Sequence, residues 1–491
     1  MRHATLAFLC VATLSVRAQS QAPADHYAVT FHGEALRATV DAQVSAADGT
    51  LHVAGYTSRQ PGYWKSRIDT IVVTDSAGAR MDLDSLVAGQ YDMGWRIRSG
   101  YHGRVSLHYS VNLEFASRPF PSGNQKGGYA ADGALYLVTR VLFVTPDSGQ
   151  GGLARDVELR TPAGWRQVTP WQESSAGHYR VRNRDELVSN SIVVGRFASS
   201  RARVGGFEAV AAFVGPIAAD SAAIGPAFAK IAGEYFRLFP GTPPGRYLIT
   251  FFYADHDDGE SWASSSAVTF GNRITGGAGI LFNNKIAHEV LHYWIGQRVD
   301  ASDFRHMSWL SEGFTEYFAN RTIYRTGLIS RAEYLEKLSR HIGAYGYFWY
   351  SPLFDDRTLF AAGEDKTRNR FGVYDGGAVV ALTLDLMIQR SSNGKHSLDD
   401  VLLALWRRFG ADGTKYSLDD FVAALTEVGG PEFSTFVPKY ITGHELLPLE
   451  PALRDFGVQL RAWPLSAEAY LSELTSLDAR QRTNHNWLLP R

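Results

Sequence analysis

The amino-acid sequence predicts a multidomain protein, with an N-terminal antiparallel β-sandwich followed by an α+β region and then a mainly helical region. A chain of 491 residues is too long for one ordinary hydrophobic core. Apolar and polar residues alternate along much of residues 26–200, whereas helical patterns dominate from about residue 283. These different patterns indicate separate domains.

Short strand-like stretches between turn residues predict the β-sandwich. In the clearest stretch, residues 104–115, apolar and polar side chains alternate without a break, as in a strand with one buried face. Similar stretches lie at residues 69–74, 134–145 and 156–160. Many short strands without intervening helices favour an antiparallel sandwich over residues 26–200.

Residues 201–282 mix both kinds of element. Residues 221–239 have the pattern of a helix, and residues 246–253 and 265–270 have the pattern of strands. We therefore assign 201–282 as the α+β part of a domain that extends to residue 447.

The helical part, residues 283–447, contains clear helix start signals. Ser330 with Glu333 forms a capping box, and the sequence SLDD opens amphipathic runs at Ser397 and at Ser417. Residues 448–491 are expected to form a polar C-terminal tail.

The N-terminus predicts export. Arg2 precedes an apolar run over residues 4–16, and small residues follow around Ala18, which is the pattern of a signal peptide over residues 1–18. The run is shorter than the roughly 20 residues that a membrane span requires. A buried N-terminal helix is the alternative. The signal peptide predicts a mature protein in the periplasm or outside the cell. Since the one cysteine, Cys10, lies within the apolar run, we expect the mature protein to contain no cysteine.

The charge balance points to no polyanionic partner. Lys and Arg total 49 against 50 Asp and Glu, for a formal charge of -1, so neither nucleic acid nor an anionic membrane is favoured. The apolar run at residues 378–388 contains Asp385 and has the length of a core helix. We expect no stable membrane insertion, and the oligomeric state stays open.

The stretch IAHEVLHYW, residues 286–294, carries the strongest chemical signal. On a helix predicted over residues 283–298, His288 and His292 differ by about 40° in azimuth, so both imidazoles can bind one ion. Glu289 is rotated by about 100° from His288, and its carboxylate would lie beside the open coordination position as a general base.

A third metal ligand is predicted at Glu312. Nineteen residues separate it from His292, which is enough for a loop and an antiparallel second helix, capped by Ser311, that presents Glu312 from its first turn. Two imidazoles and one carboxylate make a zinc site with a position left for water. Taken singly, each of these residues also fits an ordinary helix.

Two nearby residues have open roles. Glu316, one turn after Glu312, is interpreted either as an acceptor that orients a histidine or as a solvent-facing charge. His306 is a possible competing ligand, although its spacing does not favour it.

Five motifs in this order resemble the thermolysin-like gluzincin peptidases, and more narrowly the glycyl aminopeptidase family, peptidase family sixty-one. They are HEVLHYW, WLSEGFTEYFANRTIYRTGLISRAEYL, VYDGGAVVALTLDLMIQR, SLDDVLLALWRRF and YITGHELLPLEPALRDFGVQL. The resemblance covers about residues 26–460. It implies a thermolysin-like catalytic domain over residues 201–447, one Zn2+ ion, and peptide substrates that lose a small N-terminal residue, Gly or Ala.

The resemblance also assigns roles. His288, His292 and Glu312 are the zinc ligands, Glu289 is the general base, and Tyr374 of VYDGG is the hydrogen-bond donor to the transition state. A core tyrosine at a helix start, before a DGG turn, is the alternative for Tyr374.

The sequence departs from the family pattern before the zinc helix. Where the family carries a Gly-Gly-Leu-Glu-His motif, this chain has DDGESWASSS, so that Glu260 takes the place of the glutamate and Ser261 that of the histidine. Glu260 is the candidate to bind a substrate α-ammonium group. The acidic loop 255–260 also fits a solvated loop or a calcium site, and residues 264–270 are expected to form an edge strand that pairs with substrate.

Many relatives continue into a PDZ domain, and we expect none in residues 448–491. Three functions stay open. The leading hypothesis is an exported zinc aminopeptidase. The alternatives are an endopeptidase, or another amide or ester hydrolase, with the same site, and a non-catalytic binding protein whose sandwich recognises a partner.

Overall fold

A computed structural model describes residues 24–55, 62–87, 93–146, 154–204, 206–271, 279–354, 357–411 and 413–490. The predicted signal peptide, residues 1–18, lies outside these ranges. The described part has a β-rich N-terminal region followed by a mainly helical C-terminal region.

Fourteen strands and one short helix form the described N-terminal region. They are β1 (Asp25–Phe31), β2 (Arg37–Ala46), β3 (Thr50–Val53), β4 (Ile68–Thr74), β5 (Leu83–Val87), β6 (Met93–Ile97), β7 (Gly103–Asn112), β8 (Gly128–Ala131), β9 (Ala134–Val138), β10 (Arg155–Arg160), β11 (Arg166–Val168), β12 (Gln172–Ser175), β13 (His178–Val181), α1 (Arg184–Val188) and β14 (Ser191–Gly195). Their sheets have the orders β12-β13-β10-β1-β2-β7-β4, β11-β14-β9-β8 and β3-β6-β5. The seven-stranded and four-stranded sheets contribute to one hydrophobic core.

The predicted alternation is confirmed in β7, where Val105, Leu107 and Tyr109 are buried between more exposed neighbours. Two expectations were wrong in detail. β9 ends at Val138, well short of residue 145, because a 3-10 turn follows. The sheet is not wholly antiparallel, since β1 pairs in parallel with β10. A short hairpin loop allows only antiparallel pairing, whereas the long stretch of chain between β1 and β10 also allows parallel pairing.

A five-stranded sheet begins the second region, with the order β15-β16-β17-β19-β18. Its elements are β15 (Ala198–Val204), β16 (Phe207–Phe213), α2 (Ser221–Leu238), β17 (Gly245–Tyr253), β18 (Asp258–Ser261) and β19 (Ser265–Phe270). The boundary that we predict at residues 200–201 therefore falls inside β15. The edge strand is β18, so the expectation of an edge at residues 264–270 was wrong, because β18 pairs with the outer side of β19.

The five-stranded sheet separates two hydrophobic cores. Because side chains alternate along a strand, Val210, Leu248 and Phe252 face the core of the N-terminal sheets, whereas Ala211 and Phe251 face the core of the helices. The sheet therefore packs against both regions, one on each face.

The helices that follow surround the second core. They are α3 (Gly279–Leu291), α4 (Ser308–Ser311), α5 (Gly313–Arg325), α6 (Arg331–Tyr350), α7 (Leu359–Ala362), a π-helical turn (Phe371–Gly376), α8 (Gly377–Ser391), α9 (Leu398–Phe409), α10 (Leu418–Gly429) and α11 (Phe436–Tyr440). Capping boxes are present at Ser330, Ser397 and Ser417, as predicted.

The polar tail expected after residue 447 was wrong. Residues 448–491 contain α12 (Leu449–Asp455), β20 (Val458–Trp463), β21 (Glu468–Glu473) and α13 (Ala479–Leu488). A few widely spaced apolar residues hold this segment, among them Leu453, Phe456 and Leu488, which are buried in the helical core. Their spacing is too sparse to stand out against the polar composition of the segment.

One helical stretch among the described residues, Phe371–Ser391, is long and apolar enough to cross a membrane by length and composition. Of its most apolar window, 78% is buried inside the protein, as in the core helix of a folded domain.

Candidate metal centre and active site

Helix α3 is held by two buried phenols, one on helix α2 and one on strand β17. The hydroxyl of Tyr235 donates to the carbonyl of Ala287 at 2.9 Å, and that of Tyr247 donates to the carbonyl of Glu289 at 2.9 Å. Both bonds fall on the turn that carries the predicted metal ligand His288. The position of this turn is therefore set by both α2 and the sheet.

The two predicted helices differ from expectation at their ends. α3 begins at Gly279 and ends at Leu291, before residues 295 and 299 form a β-bridge that is incompatible with a helix. Ser311 is not a helix cap, because the N–H of Glu312 bonds to the carbonyl of Ser308 at 2.9 Å and the helical path is already under way.

The structure brings His288, His292 and Glu312 together. The Nε2 atoms of His288 and His292 are 3.0 Å apart. Glu312 Oε2 lies 3.3 Å from Nε2 of His288 and 3.5 Å from Nε2 of His292. Among the described residues, these three make the group of His, Cys, Asp and Glu side chains whose spacing could hold a metal ion. His306 lies apart, with Nδ1 2.7 Å from Asp303 Oδ2.

The other nitrogen of each imidazole lies close to an oxygen atom. Nδ1 of His288 lies 3.3 Å from Glu316 Oε1, and Nδ1 of His292 lies 3.0 Å from the carbonyl oxygen of Ile295. When each Nδ1 carries a hydrogen for these acceptors, both Nε2 lone pairs point at the same place as Glu312 Oε2. Three converging acceptors fit a cation, and two nitrogens with one carboxylate are the donor set of a catalytic zinc.

Charge around the centre favours ionised carboxylates. Against the effect of burial, Lys366 and the two imidazoles hold the pKa of Glu312 well below its usual range. The pKa of Glu316 is also far below its usual range, since His288 outweighs burial. Burial would lower the pKa of His288, but Glu312 and Glu316 raise it to about 10. The site therefore attracts positive charge.

Glu289 lies against the edge strand β18. Ser261 Oγ donates to Glu289 Oε2 at 2.7 Å and also to the Glu289 carbonyl at 3.1 Å. A Cβ atom at Gly259 would lie only 2.0 Å from Glu289 Oε1. The strand therefore holds one carboxylate oxygen with a hydroxyl and leaves room for the other with a glycine.

Tyr374 lies in the π-helical turn, with its ring centroid 6.2 Å from that of His288. The DGG that follows does not form the turn suggested by the sequence, because the helix continues directly into α8. Burial, and next the negative charge of Glu312, raise the pKa of Tyr374 above its ordinary value of 10. A phenol that keeps its proton is suited to donate a hydrogen bond.

Glu260 lies on the same strand as Ser261 and is already paired. Its Oε2 is 3.4 Å from Nζ of Lys126, which belongs to the N-terminal region. Burial raises the pKa of Glu260, while Lys126 lowers it. The neighbouring Asp258 accepts a hydrogen bond from Gln125 Nε2 at 2.6 Å, so this part of the acidic loop is tied to protein groups.

Sequence reasoning missed several residues of the site. Lys366 donates to Glu312 Oε1, and its ammonium group is 5.1 Å from the ring centroid of Tyr374. Neither Lys366 nor Lys126 belongs to a motif. Ser261 stands where the family pattern has a histidine, and its contact with Glu289, 28 residues away in sequence, has no local signal.

A crossing of α5 and α8 brings Glu312 close to the turn of Tyr374. A Cβ atom at Gly313 would lie 2.3 Å from Gly377 Cα, and one at Gly377 would lie 2.0 Å from the carbonyl oxygen of Trp309. The glycines that follow Glu312 and Tyr374 thus permit backbone contact between the two elements.

The sequence profile of the M61 glycyl aminopeptidase family matches residues 282–352, the segment that contains the three converging side chains. The chain is a zinc metallopeptidase. The predicted resemblance to the glycyl aminopeptidase family is thereby confirmed for this part of the metallopeptidase. No protein with curated annotation matches it.

Solved structures share the fold of the metallopeptidase. An aminopeptidase N family protein from Idiomarina loihiensis is 20% identical with a TM-score of 0.72, over 89% of this chain and 79% of that one. An M1 zinc metallopeptidase from Deinococcus radiodurans is 16% identical with a TM-score of 0.57, over 87% and 94%. A variant of the latter, solved with a Tyr-Ser-Ala substrate, is 15% identical with a TM-score of 0.53, over 87% and 94%. These similarities support the order of a β-rich and then a helical region.

Proposed function

We propose that this metallopeptidase is an aminopeptidase with a thermolysin-like catalytic domain that binds one Zn2+ ion through His288, His292 and Glu312. The observation that carries the proposal is the convergence of two imidazole nitrogens and one carboxylate oxygen within 3.5 Å of one another. Zinc at such a site supplies a Lewis acid that polarises a carbonyl and lowers the pKa of water.

Glu289 performs the proton transfers. Ser261 fixes its Oε2 at 2.7 Å, so the second oxygen is oriented to take a proton from water and to pass it to the leaving amine. Tyr374 keeps its proton and donates a hydrogen bond to the oxyanion that develops on the substrate carbonyl. The chain thus supplies an acid-base group and an oxyanion donor on two sides of one centre.

Metal analysis together with Glu289→Gln tests the chemistry. The variant should retain zinc and lose hydrolysis of aminoacyl amides, because glutamine cannot accept the proton. Hydrolysis by the variant at the wild-type rate would contradict the role of Glu289. A chelator should abolish wild-type activity, and added zinc should restore it.

For substrate choice, we propose that Glu260 binds the α-ammonium group of a peptide and that small N-terminal residues, Gly or Ala, are removed. The support is the position of Glu260 on β18, directly between Gly259 and Ser261, the two residues of the strand that approach the Glu289 carboxylate. A charge-assisted bond here would fix the cleavage site one residue from the N-terminus.

An endopeptidase is the second candidate, and the Lys126–Glu260 pair favours it. A carboxylate that is already neutralised by Lys126 at 3.4 Å has less attraction for an α-ammonium group. Short Gly- and Ala-initiated peptides with free and acetylated N-termini separate the two functions. Cleavage of only the free peptides supports the aminopeptidase, and equal cleavage of both supports the endopeptidase.

Export is also a proposal and is supported by the sequence pattern of residues 1–18. N-terminal sequencing of the protein recovered from outside the cytoplasm should begin close to residue 19. Recovery of an uncleaved N-terminus in the cytoplasm would contradict it.

A further inference from the structure

His341 and Asp375 form a buried pair behind the active site. His341 projects inward from α6 with 15% of its side chain exposed, and its Nδ1 lies 2.7 Å from Asp375 Oδ1. Asp375 directly follows Tyr374 in the π-helical turn. The imidazole is therefore joined to the backbone segment that carries the proposed oxyanion donor.

The other side of His341 leads to the metal centre. Its Nε2 lies 2.9 Å from Nδ2 of Asn320, and Oδ1 of Asn320 accepts from Nδ2 of Asn284 at 2.8 Å. Nδ2 of Asn284 also lies 3.4 Å from Glu316 Oε2, and Glu316 contacts His288. A continuous row of polar side chains thus connects His288 to Asp375.

The hydrogen bonds in this row have one direction. Because Asn284 turns its amide nitrogen to the Glu316 carboxylate, the oxygen of Asn320 must face that nitrogen, and the nitrogen of Asn320 must face His341. In the neutral ring of His341, Nε2 therefore accepts and Nδ1 donates to Asp375. The row fixes the tautomer of His341.

We propose that His341 is a positioning residue that holds the Tyr374 turn and the Glu316–His288 contact in register. The inference rests on the proposed roles of His288 and Tyr374. The bond from Nδ1 of His341 to Asp375 sets where the π-helical turn places Tyr374. The bond between Nε2 of His341 and Asn320 supports Glu316 in orienting the imidazole of His288. Groups that bond directly to a metal ligand typically change metal affinity by about 10- to 100-fold, and the indirect link from His341 to His288 places the expected effect at the lower end of that range.

Three substitutions separate the two bonds. In His341→Asn the amide nitrogen can still donate to Asp375, so kcat should stay within about twofold of wild type while zinc affinity falls. In His341→Gln the amide oxygen can still accept from Asn320, so zinc affinity should be kept while kcat falls. His341→Leu should lower both, each by about tenfold, with KM for a short peptide unchanged.

Zinc affinity is measured by competition with a chromophoric chelator, which does not depend on activity, and kcat is measured on zinc-saturated enzyme. His485→Leu is the control, because it removes another buried histidine, on α13, whose Nε2 lies 2.9 Å from Glu473. Parallel losses in all three His341 variants, scaling with the melting temperature as in the control, would overturn the proposal.

Tyr374→Phe distinguishes this proposal from the proposed function. If Tyr374→Phe lowers kcat but the His341 variants behave as wild type, the positioning role is wrong and the function stands. If Tyr374→Phe has no effect but His341→Leu still weakens zinc binding relative to His341→Gln, the role of Tyr374 is wrong and the link to His288 stands.

Discussion

The two walls of the active site are built from different parts of the chain. One wall consists of α3 and α5, and the side chains of the candidate metal centre and their neighbour Glu316 all come from residues 288–316. The opposite wall is β18, which is tied to residues 125–126 of the N-terminal region through Asp258 and Glu260. The candidate metal centre is thus encoded by local spacing, whereas the position of β18 depends on contacts between distant segments.

Glu289→Gln should have the largest effect, because Glu289 connects the two walls. General acid-base groups typically contribute about 10²- to 10⁴-fold in rate, and kcat should fall by that order while zinc content stays at the wild-type level. The exposed Glu336→Gln on α6 is the control. A loss of zinc equal to the loss of kcat would show that Glu289 serves the metal wall only.

Tyr374→Phe should come next. Removing one preorganised oxyanion donor typically costs about 10²- to 10³-fold in kcat, and KM should change little because the ring remains. Steady-state kinetics with a Gly or Ala amide substrate provide the measurement. An unchanged kcat would return Tyr374 to the role of a core residue.

Gly259→Ala tests whether β18 shapes the base. Its Cβ would lie 2.0 Å from Glu289 Oε1, so the carboxylate must move, and a misplacement of about 1 Å can cost about 10²-fold in rate. Zinc content should be unchanged. Gly233→Ala on α2 is the control, because its Cβ would meet no atom within 4 Å; equal activities of the two variants would mean that the close approach has no catalytic importance.

Lys126→Met should have the smallest effect and the most specific one. If Lys126 competes with a substrate α-ammonium group for Glu260, its removal should lower KM for free peptides several-fold, with no change for acetylated ones. Initial rates over a range of peptide concentrations measure this, with the exposed Lys395→Met as control. A rise in KM for free peptides would indicate that Lys126 organises Glu260 instead.

The sequence predicted the metal-facing residues because a helical period and one helix return suffice to place them. His288, His292 and Glu312 converge as expected even though the helix ends differ, since α3 stops at Leu291 and Ser311 is not a cap. A few residues of error at a helix end do not alter which side chains share a face.

Other features depend on tertiary contacts that have no local pattern. The DGG after Tyr374 has the composition of a turn, but Gly377 instead permits contact with the carbonyl of Trp309 inside a continuous helix. The role of Ser261 becomes visible only when β18 lies beside α3. Sequence propensities describe the backbone conformations that glycine and serine favour, but they do not indicate which distant residue each will contact.

The five-stranded sheet has a practical consequence for protein engineering. Its residues Val210, Leu248 and Phe252 belong to the hydrophobic core formed with the N-terminal region. A recombinant fragment that starts near residue 201 would expose this apolar face of the sheet to solvent. It would also lack Lys126, the partner of Glu260. We expect the truncated protein to precipitate unless detergent is added. A soluble recombinant enzyme should therefore include both regions.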